Sequence, residues 1–244
     1  MADPTRDDGA ELAPGGTLRA GINYGNAILA TRGPGGDARG VAIDLTRELA
    51  RRLAARVELV AYDTVAAMVD AAATGAWDIA YLGIDPARAG QIAFSPPYLA
   101  IEATYLVPAG SALRAAAEVD RAGIRVAAPA RANYELYLGR SLAHAALVRA
   151  PSPEAAFGLL VEGKVDALAG LRQALLALAD LLPGSRLLEG RFMAVQQAIG
   201  VPRGRDAAVA YLGRFVEDAK RSGLVARAIA ATGARGVSVA PPDE

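Results

Sequence analysis

The residues best placed to do chemistry lie between Asp78 and Tyr98, in the run DIAYLGIDPARAGQIAFSPPY. An apolar strand (Ile79, Ala80, Tyr81, Leu82) breaks at Gly83, turns through Asp85 and Pro86, and delivers Arg88 just ahead of Ile92, Ala93 and Phe94. Proline fixes φ in such a turn, and glycine lets the backbone leave the strand. Arg88 therefore falls just past the carboxyl end of a sheet strand, where open α/β sheets take their ligands. A guanidinium there suits a carboxylate, because its planar fork donates two parallel charge-assisted hydrogen bonds. The competing reading is a solvated surface arginine, the ordinary fate of that residue type.

Other chemistries are poorly supplied. The chain has no cysteine and one histidine, His144, which removes disulfides, thiolate metal sites, thiol nucleophiles and most imidazole zinc sites. His144 falls in an expected exposed loop and is given no role. No G-x-S-x-G elbow occurs, so a serine hydrolase is hard to build. The stretch GPGGDARG (Gly33 to Gly40) lacks the Lys-Ser/Thr of a phosphate-binding loop and reads as a hairpin tip. No metal and no cofactor is expected. A carboxylate acid/base catalyst on Asp85 or Glu102 stays open.

Composition sets the outer bounds. With 244 residues the chain can form one large domain or two small ones with proper cores. It is 53% apolar and 21% charged, with 26 basic against 26 acidic residues, so it is neither disordered nor a nucleic-acid binder. No run of about 18 apolar residues appears, which excludes a helical membrane span. The opening MADPTRDDGAELAPGG carries Asp3, Asp7, Asp8 and Glu11 and no apolar run, so it does not read as a signal peptide. A mature exported protein with a start Met and a cytoplasmic protein both fit. Residues 1–15 are expected as a flexible tail, and 237–244 as another.

The elements that must position Arg88 follow from spacing. Thr17 to Asn23 reads as a strand running into Tyr24, Gly25 and Asn26. A helix is expected from Asp44, with Leu45, Leu49 and Leu53 on one face, then a strand at Arg56 to Tyr62, and a helix capped by Asp63 or Thr64 that runs through Ala73. The strand at Asp78 comes next. A strand at Ala103 to Pro108 leads into a second round: strands at Ile124 to Ala128, Ala146 to Arg149 and Asp166 to Ala169, with helices at Ala132 to Leu142, Pro153 to Glu162 and Arg172 to Leu182. Ser152 followed by Pro153 is a strong helix start. An extended run at Phe192 to Val201 and helices at Asp206 to Arg221 and Leu224 to Thr232 finish the chain. Strand-helix alternation of this kind predicts α/β architecture with parallel sheets under helices, in two similar lobes.

The run from Arg88 through IAFSPPY resembles the extracytoplasmic solute-binding proteins of polar amino-acid ABC importers, family 3. GTLRAGIN (Gly16 to Asn23), GVAIDLTRELARRL (Gly40 to Leu53), EGKVDALAG (Glu162 to Gly170) and the C-terminal GVPRGRDAAVAYLGRFVEDAKRSGLVARAIAATG fit the same template in order, from about Gly16 to Gly236. The resemblance implies a two-lobe, type II periplasmic-binding fold: 16–103 with 191–236 as a discontinuous first lobe, 104–190 as the second. It also implies two hinge strands, near Ala100 to Ala103 and Glu189 to Gln196. Arg88 would hold the carboxylate of a solute over which the lobes close.

Carried over residue by residue, the resemblance is as informative where it fails. The hydroxyl positions before the arginine are Tyr81, Gly83 and Asp85, and the second-lobe Gly-Ser/Thr-Thr turn is replaced by Arg131, Ala132 and Asn133. The position that pairs with a ligand ammonium is Leu171, followed by Arg172. A buried ammonium without a partner is costly, so the expectation is a small anionic or zwitterionic solute, amino-acid-like or deaminated. Asn23, Asn26, Asn133 and Gln197 are candidate readers of its polar groups, with a plain loop or cap role as the alternative for the asparagines. Tyr81 and Tyr134 are candidate walls or hydroxyl donors, with core packing the equal alternative. The expected protein is a periplasmic, monomeric binding component with an ABC permease as partner. The alternatives are a cyclohexadienyl dehydratase-like lyase on the same fold and a stand-alone sensory module.

Overall fold

Strand and helix alternate along the chain, and residue type explains most of the boundaries. In this computed structural model residues 9–33 and 35–242 are described; the expected tail's Asp3, Asp7 and Asp8, with the rest of 1–8, Pro34 of the hairpin tip, and residues 243–244, lie outside them. Two short 3-10 turns precede β1 (Thr17–Asn23), β2 (Thr31–Arg32), β3 (Ala38–Arg39), α1 (Val41–Leu53), β4 (Arg56–Tyr62), α2 (Val65–Asp70), β5 (Ile79–Gly83), β6 (Ile92–Phe94) and β7 (Leu99–Val107). There follow β8 (Arg125–Pro129), α3 (Asn133–Ser141), β9 (Ala146–Ala150), α4 (Pro153–Val161), β10 (Ala167–Leu171), α5 (Arg172–Ala179), β11 (Arg186–Leu187), β12 (Met193–Pro202), α6 (Asp206–Arg221), α7 (Leu224–Thr232) and β13 (Val237–Val239).

The chain divides into two compact units, one running to Ala100 and resuming at Gln196, the other Ile101–Val195. It passes from one to the other inside β7 and again inside β12. In the first unit β1 is parallel to β4 and β5, and β12 lies antiparallel on β5 with Ile199 opposite Tyr81 and Gln197 opposite Gly83. Alternate residues of β5 serve opposite faces. Ala80 and Leu82 pack with Met68 and Val69 of α2, Trp77 and Ile92, while Tyr81 on the other face meets Thr46 of α1. In the second unit β8 is parallel to β9 and β10, and β10 is antiparallel to β7. Val126, Ala128, Ala167 and Ala169 pack with Leu138 of α3; Ala127 and Leu168 pack with Ala156 and Leu160 of α4 and Leu175 of α5. Both faces of β5, β8 and β10 are therefore covered, which is why these strands read as nearly unbroken apolar runs.

One joint is built twice. In the first unit Arg19 donates from Nε and Nη2 to the two oxygens of Asp78, and from Nη1 to the Gly75 carbonyl. In the second, Arg125 donates from Nε and Nη2 to Asp166 and from Nη2 to the Gly163 carbonyl. Each aspartate directly precedes a strand, and each glycine lies three residues earlier in the left-handed region, φ 65° and 68°. The spacing Gly-x-x-Asp thus ties the entry of β5 to β1, and of β10 to β8.

Several boundaries differ from expectation. Helix α1 begins at Val41 rather than Asp44, after Gly40 at φ 126°, where a Cβ would lie 2.5 Å from the Leu29 carbonyl oxygen. Thr64 caps α2 by accepting the Ala67 N–H, but the helix tightens into a 3-10 turn at Ala71–Thr74. Helix α5 stops at Ala179, three residues short of Leu182. Within the segment read as a tail, Leu12 is fully buried, and Val237–Val239 of the other forms a strand.

Candidate functional site

In the first unit, Arg88 ends a 3-10 turn, Pro86–Arg88, that begins on Asp85. The Asp85 Oδ1 accepts the Ala87 N–H at 2.9 Å, and the Asp85 carbonyl accepts the Arg88 N–H at 3.0 Å. This tight turn returns the arginine side chain to the strand end, where Nη1 donates to the Gly83 carbonyl at 2.6 Å. Arg88 is 4% exposed, so it is no solvated surface arginine, and Asp85 is equally buried. A guanidinium fixed by a carbonyl has lost its rotamer freedom before any ligand arrives, so less is lost on binding.

Gln197 faces Gly83 across the β5–β12 ladder; it is 4% exposed, and its Oε1 has no partner among the described residues. Tyr98 is wholly buried with its hydroxyl also without a partner among the described residues, and its ring meets that of Tyr81 edge-on at 5.9 Å. Tyr81 itself is a core residue rather than a site wall: it is 1% exposed, its hydroxyl is hydrogen-bonded to that of Thr46 at 3.1 Å, and burial pushes its phenol up. Asn23 and Asn26 turn their side-chain oxygens to their own loop, accepting the Gly25 N–H at 2.8 Å and the Ile28 N–H at 3.2 Å. That is the local turn role asparagine commonly takes.

In the second unit, Arg131 is exposed and held in the left-handed region at φ 64°. Its N–H donates to Oε2 of Glu135 at 2.8 Å, and Oε1 of the same carboxylate accepts Nε of Arg149 at 2.7 Å. Glu135 is 2% exposed, so this buried carboxylate fixes the turn that feeds α3. Asn133 opens α3 and is buried; Tyr134, next along, packs on the core of this unit, and burial pushes its phenol up.

Leu171 ends β10 opposite Ala103 and offers α5 no side-chain cap. Arg172 does not stand as a lone positive charge. Its Nε donates to Glu102 Oε2 at 2.7 Å and its Nη2 to the Gly190 carbonyl at 2.7 Å, while Glu102 Oε1 accepts Nη1 of Arg191 at 2.9 Å. The hydrogen bond from Arg172, followed by that from Arg191, holds the Glu102 carboxyl below its usual range. It is ionised at neutral pH and has no proton to give as a general acid.

Sequence reasoning missed Glu135 and the arginine pair on Glu102. Glu135 left a faint local signal, standing four residues after Arg131; Arg172 and Arg191 lie 70 and 89 residues from Glu102, and nothing local announces them. Among the described residues no group of three or more His, Cys, Asp or Glu could hold a metal ion, and no helix is long and apolar enough to cross a membrane.

No curated protein matches the chain. Among solved structures it is similar to a histidine kinase sensor domain with similarity to periplasmic binding proteins, at 20% identity over 94% of this chain and 100% of that one, with a TM-score of 0.78. It is similar also to the amino acid ABC transporter substrate-binding protein AbpA from Streptococcus pneumoniae bound to L-arginine (18% identity, 89% and 94% covered, TM-score 0.75). A third is an ancestral amino-acid-binding protein, a precursor of cyclohexadienyl dehydratase (22% identity, 93% and 98% covered, TM-score 0.74). At these identities the likeness shows the fold. The profile of the bacterial extracellular solute-binding proteins, family 3, matches residues 18–231, and the chain belongs to that family of solute-binding proteins.

Proposed function

We propose that this chain is the binding component of an ABC importer, a periplasmic monomer that takes a small carboxylate-bearing solute, amino-acid-like or deaminated, with Arg88 as the carboxylate clamp. The observation that carries this reading is the buried guanidinium of Arg88, fixed to the Gly83 carbonyl just past the end of β5. Burial strengthens its attraction for an anion, because water no longer screens the pair. Gln197 and Asp85 complete the proposed contacts in the first unit, and Arg131, Asn133 and Leu171 supply those of the second. A lyase on the same fold that used Glu102 as its general acid is disfavoured, because Arg172 and Arg191 hold that carboxylate ionised.

The test is a thermal-shift screen of the purified chain over carboxylates, amino acids and their deaminated analogues, with each hit recovered and weighed by mass spectrometry. A true ligand at a hundred times its Kd stabilises by about 2.7 kcal/mol, a shift of roughly 5–10 °C for a chain of this length. The proposal expects such a shift from at least one carboxylate, recovered unchanged. No shift from any carboxylate overturns it, and a consumed hit makes the chain an enzyme.

A further inference from the structure

At one end of the second unit's sheet two arginines share a single anchor. Strand β11 lays Arg186 opposite Val107 at the end of β7, whereas Leu171, at the carboxyl end of β10, lies opposite Ala103 of the same strand. Arg131 and Asn133 follow the carboxyl end of β8, which is parallel to β10. Arg186 is therefore at the far end of this sheet from every second-unit residue proposed above to touch the solute.

Arg186 Nη2 donates to the carbonyl of Ser111, at 3.0 Å, and to that of Leu113. Arg114 Nη1 donates to the same two carbonyls, at 2.6 Å and 3.2 Å. The two nitrogens are thus no farther apart than their bonds to Ser111 laid end to end. A carbonyl oxygen has two lone pairs and accepts both donors, but one guanidinium already satisfies the pair, and the second sets like charges side by side. Neither side chain has a carboxylate oxygen within 4.0 Å among the described residues. Glu118, the carboxylate nearest to Arg114 in sequence, accepts the backbone N–H groups of Arg114 and Ala115 with Oε2 and turns Oε1 to Arg121, 3.9 Å away.

The remaining donors are held in place. Arg114 keeps Nε and Nη2, the two nitrogens of one planar edge, and Arg186 keeps Nε and Nη1, all without a partner among the described residues. The backbones that carry them are tied: Glu189 donates its N–H to the Arg114 carbonyl at 3.0 Å, and its own carbonyl accepts the Ala116 N–H at 2.8 Å. Side chains anchored before a ligand arrives lose less freedom on binding it.

We propose that Arg114 and Arg186 form an anion site in the second unit that takes a phosphate group. Two fixed positive charges without a carboxylate call for a dianion with several acceptor oxygens; a phosphate monoester has both, where a carboxylate carries one charge and two oxygens. The source is a free phosphate ester or the headgroup of an anionic lipid. The site does not depend on the Arg88 clamp, which belongs to the other unit.

The test is isothermal titration of the full chain with inorganic phosphate, at an ionic strength held constant with chloride. Wild type and Arg88→Ala are each titrated with and without Arg114→Gln or Arg186→Gln. The expected result is a phosphate site that survives Arg88→Ala and weakens at least about tenfold on either of the other changes, as the loss of charge-assisted bonds requires. Arg114 is exposed, so its variant decides the matter alone should Arg186→Gln fail to fold. Sedimentation with phosphatidic acid vesicles, lost in the same variants, assigns the phosphate to a lipid; phosphate binding without sedimentation assigns it to a free ester, and both sustain the proposal. No phosphate site in wild type, one abolished by Arg88→Ala, or one unchanged by Arg114→Gln overturns it.

Discussion

Arg88 owes its burial to three local choices, Gly83 to leave the strand, Asp85 to start the turn and Pro86 to fix it. Because all three lie within five residues of the arginine, this part of the site was legible in the sequence. Tyr81 was not, since the face of β5 it serves is set by Thr46, 35 residues earlier. Tyr81→Phe is expected to lower unfolding free energy in urea by about 1 kcal/mol, the worth of one buried hydrogen bond, and to leave solute affinity unchanged; a weakened solute constant would return Tyr81 to the site. Glu135 is the second buried charge with a local task. Glu135→Ala leaves the Arg131 N–H without its acceptor and should cost about 2 kcal/mol, discounted because the Arg149 side chain is 56% exposed. A loss below roughly 0.5 kcal/mol would mean that the turn before α3 holds its left-handed residue unaided.

Elements were readable where their ends carry their own signals. Ser152 and Pro153 predict the start of α4, and Ser152 Oγ does accept the Ala155 N–H at 3.2 Å. The start of α1 was misjudged because what Gly40 supplies is room for the Leu29 carbonyl, a contact no local rule announces. Gly40→Ala should therefore cost about 2–4 kcal/mol, seen as a drop in Tm, since the new methyl meets a backbone oxygen at a φ that only glycine adopts readily. The doubled arginine-aspartate joint was half visible: Gly-x-x-Asp stands in the sequence at 75–78 and 163–166, but the arginines lie 59 and 41 residues away. Asp78 is fully buried and Asp166 is 35% exposed. Asp78→Asn should cost about 3 kcal/mol, because Arg19 loses a buried counter-charge, and Asp166→Asn should cost clearly less. Equal losses would show that burial does not set the worth of this joint.

For the whole molecule, the two rounds of strand and helix were legible because the strands that alternate with helices pair in parallel, β1 with β4 and β5, and β8 with β9 and β10. Where the chain passes from one unit to the other, inside β7 and β12, no glycine or proline marks the crossing, so local pattern alone does not give it. Charge sets the acid limit of the fold. Hydrogen bonds from Arg51 hold the Glu48 carboxyl down to about 2, and backbone N–H donors from Ala143 to Ala145 hold Asp120 at about 2. Folded values below the unfolded ones mean that the unfolded chain binds more protons, so stability is full above about pH 4.5 and falls as pH drops toward 2. Urea midpoints should decline through that window, and a flat profile would show that these carboxylates are not held in solution. The central claim, that one buried guanidinium grips the acid group of the solute, is tested most directly by titrating wild type and Arg88→Ala with the carboxylate that gives the largest thermal shift. A loss of at least about a hundredfold in affinity, with the circular dichroism spectrum unchanged, is the result expected; affinity within about twofold of wild type would contradict it.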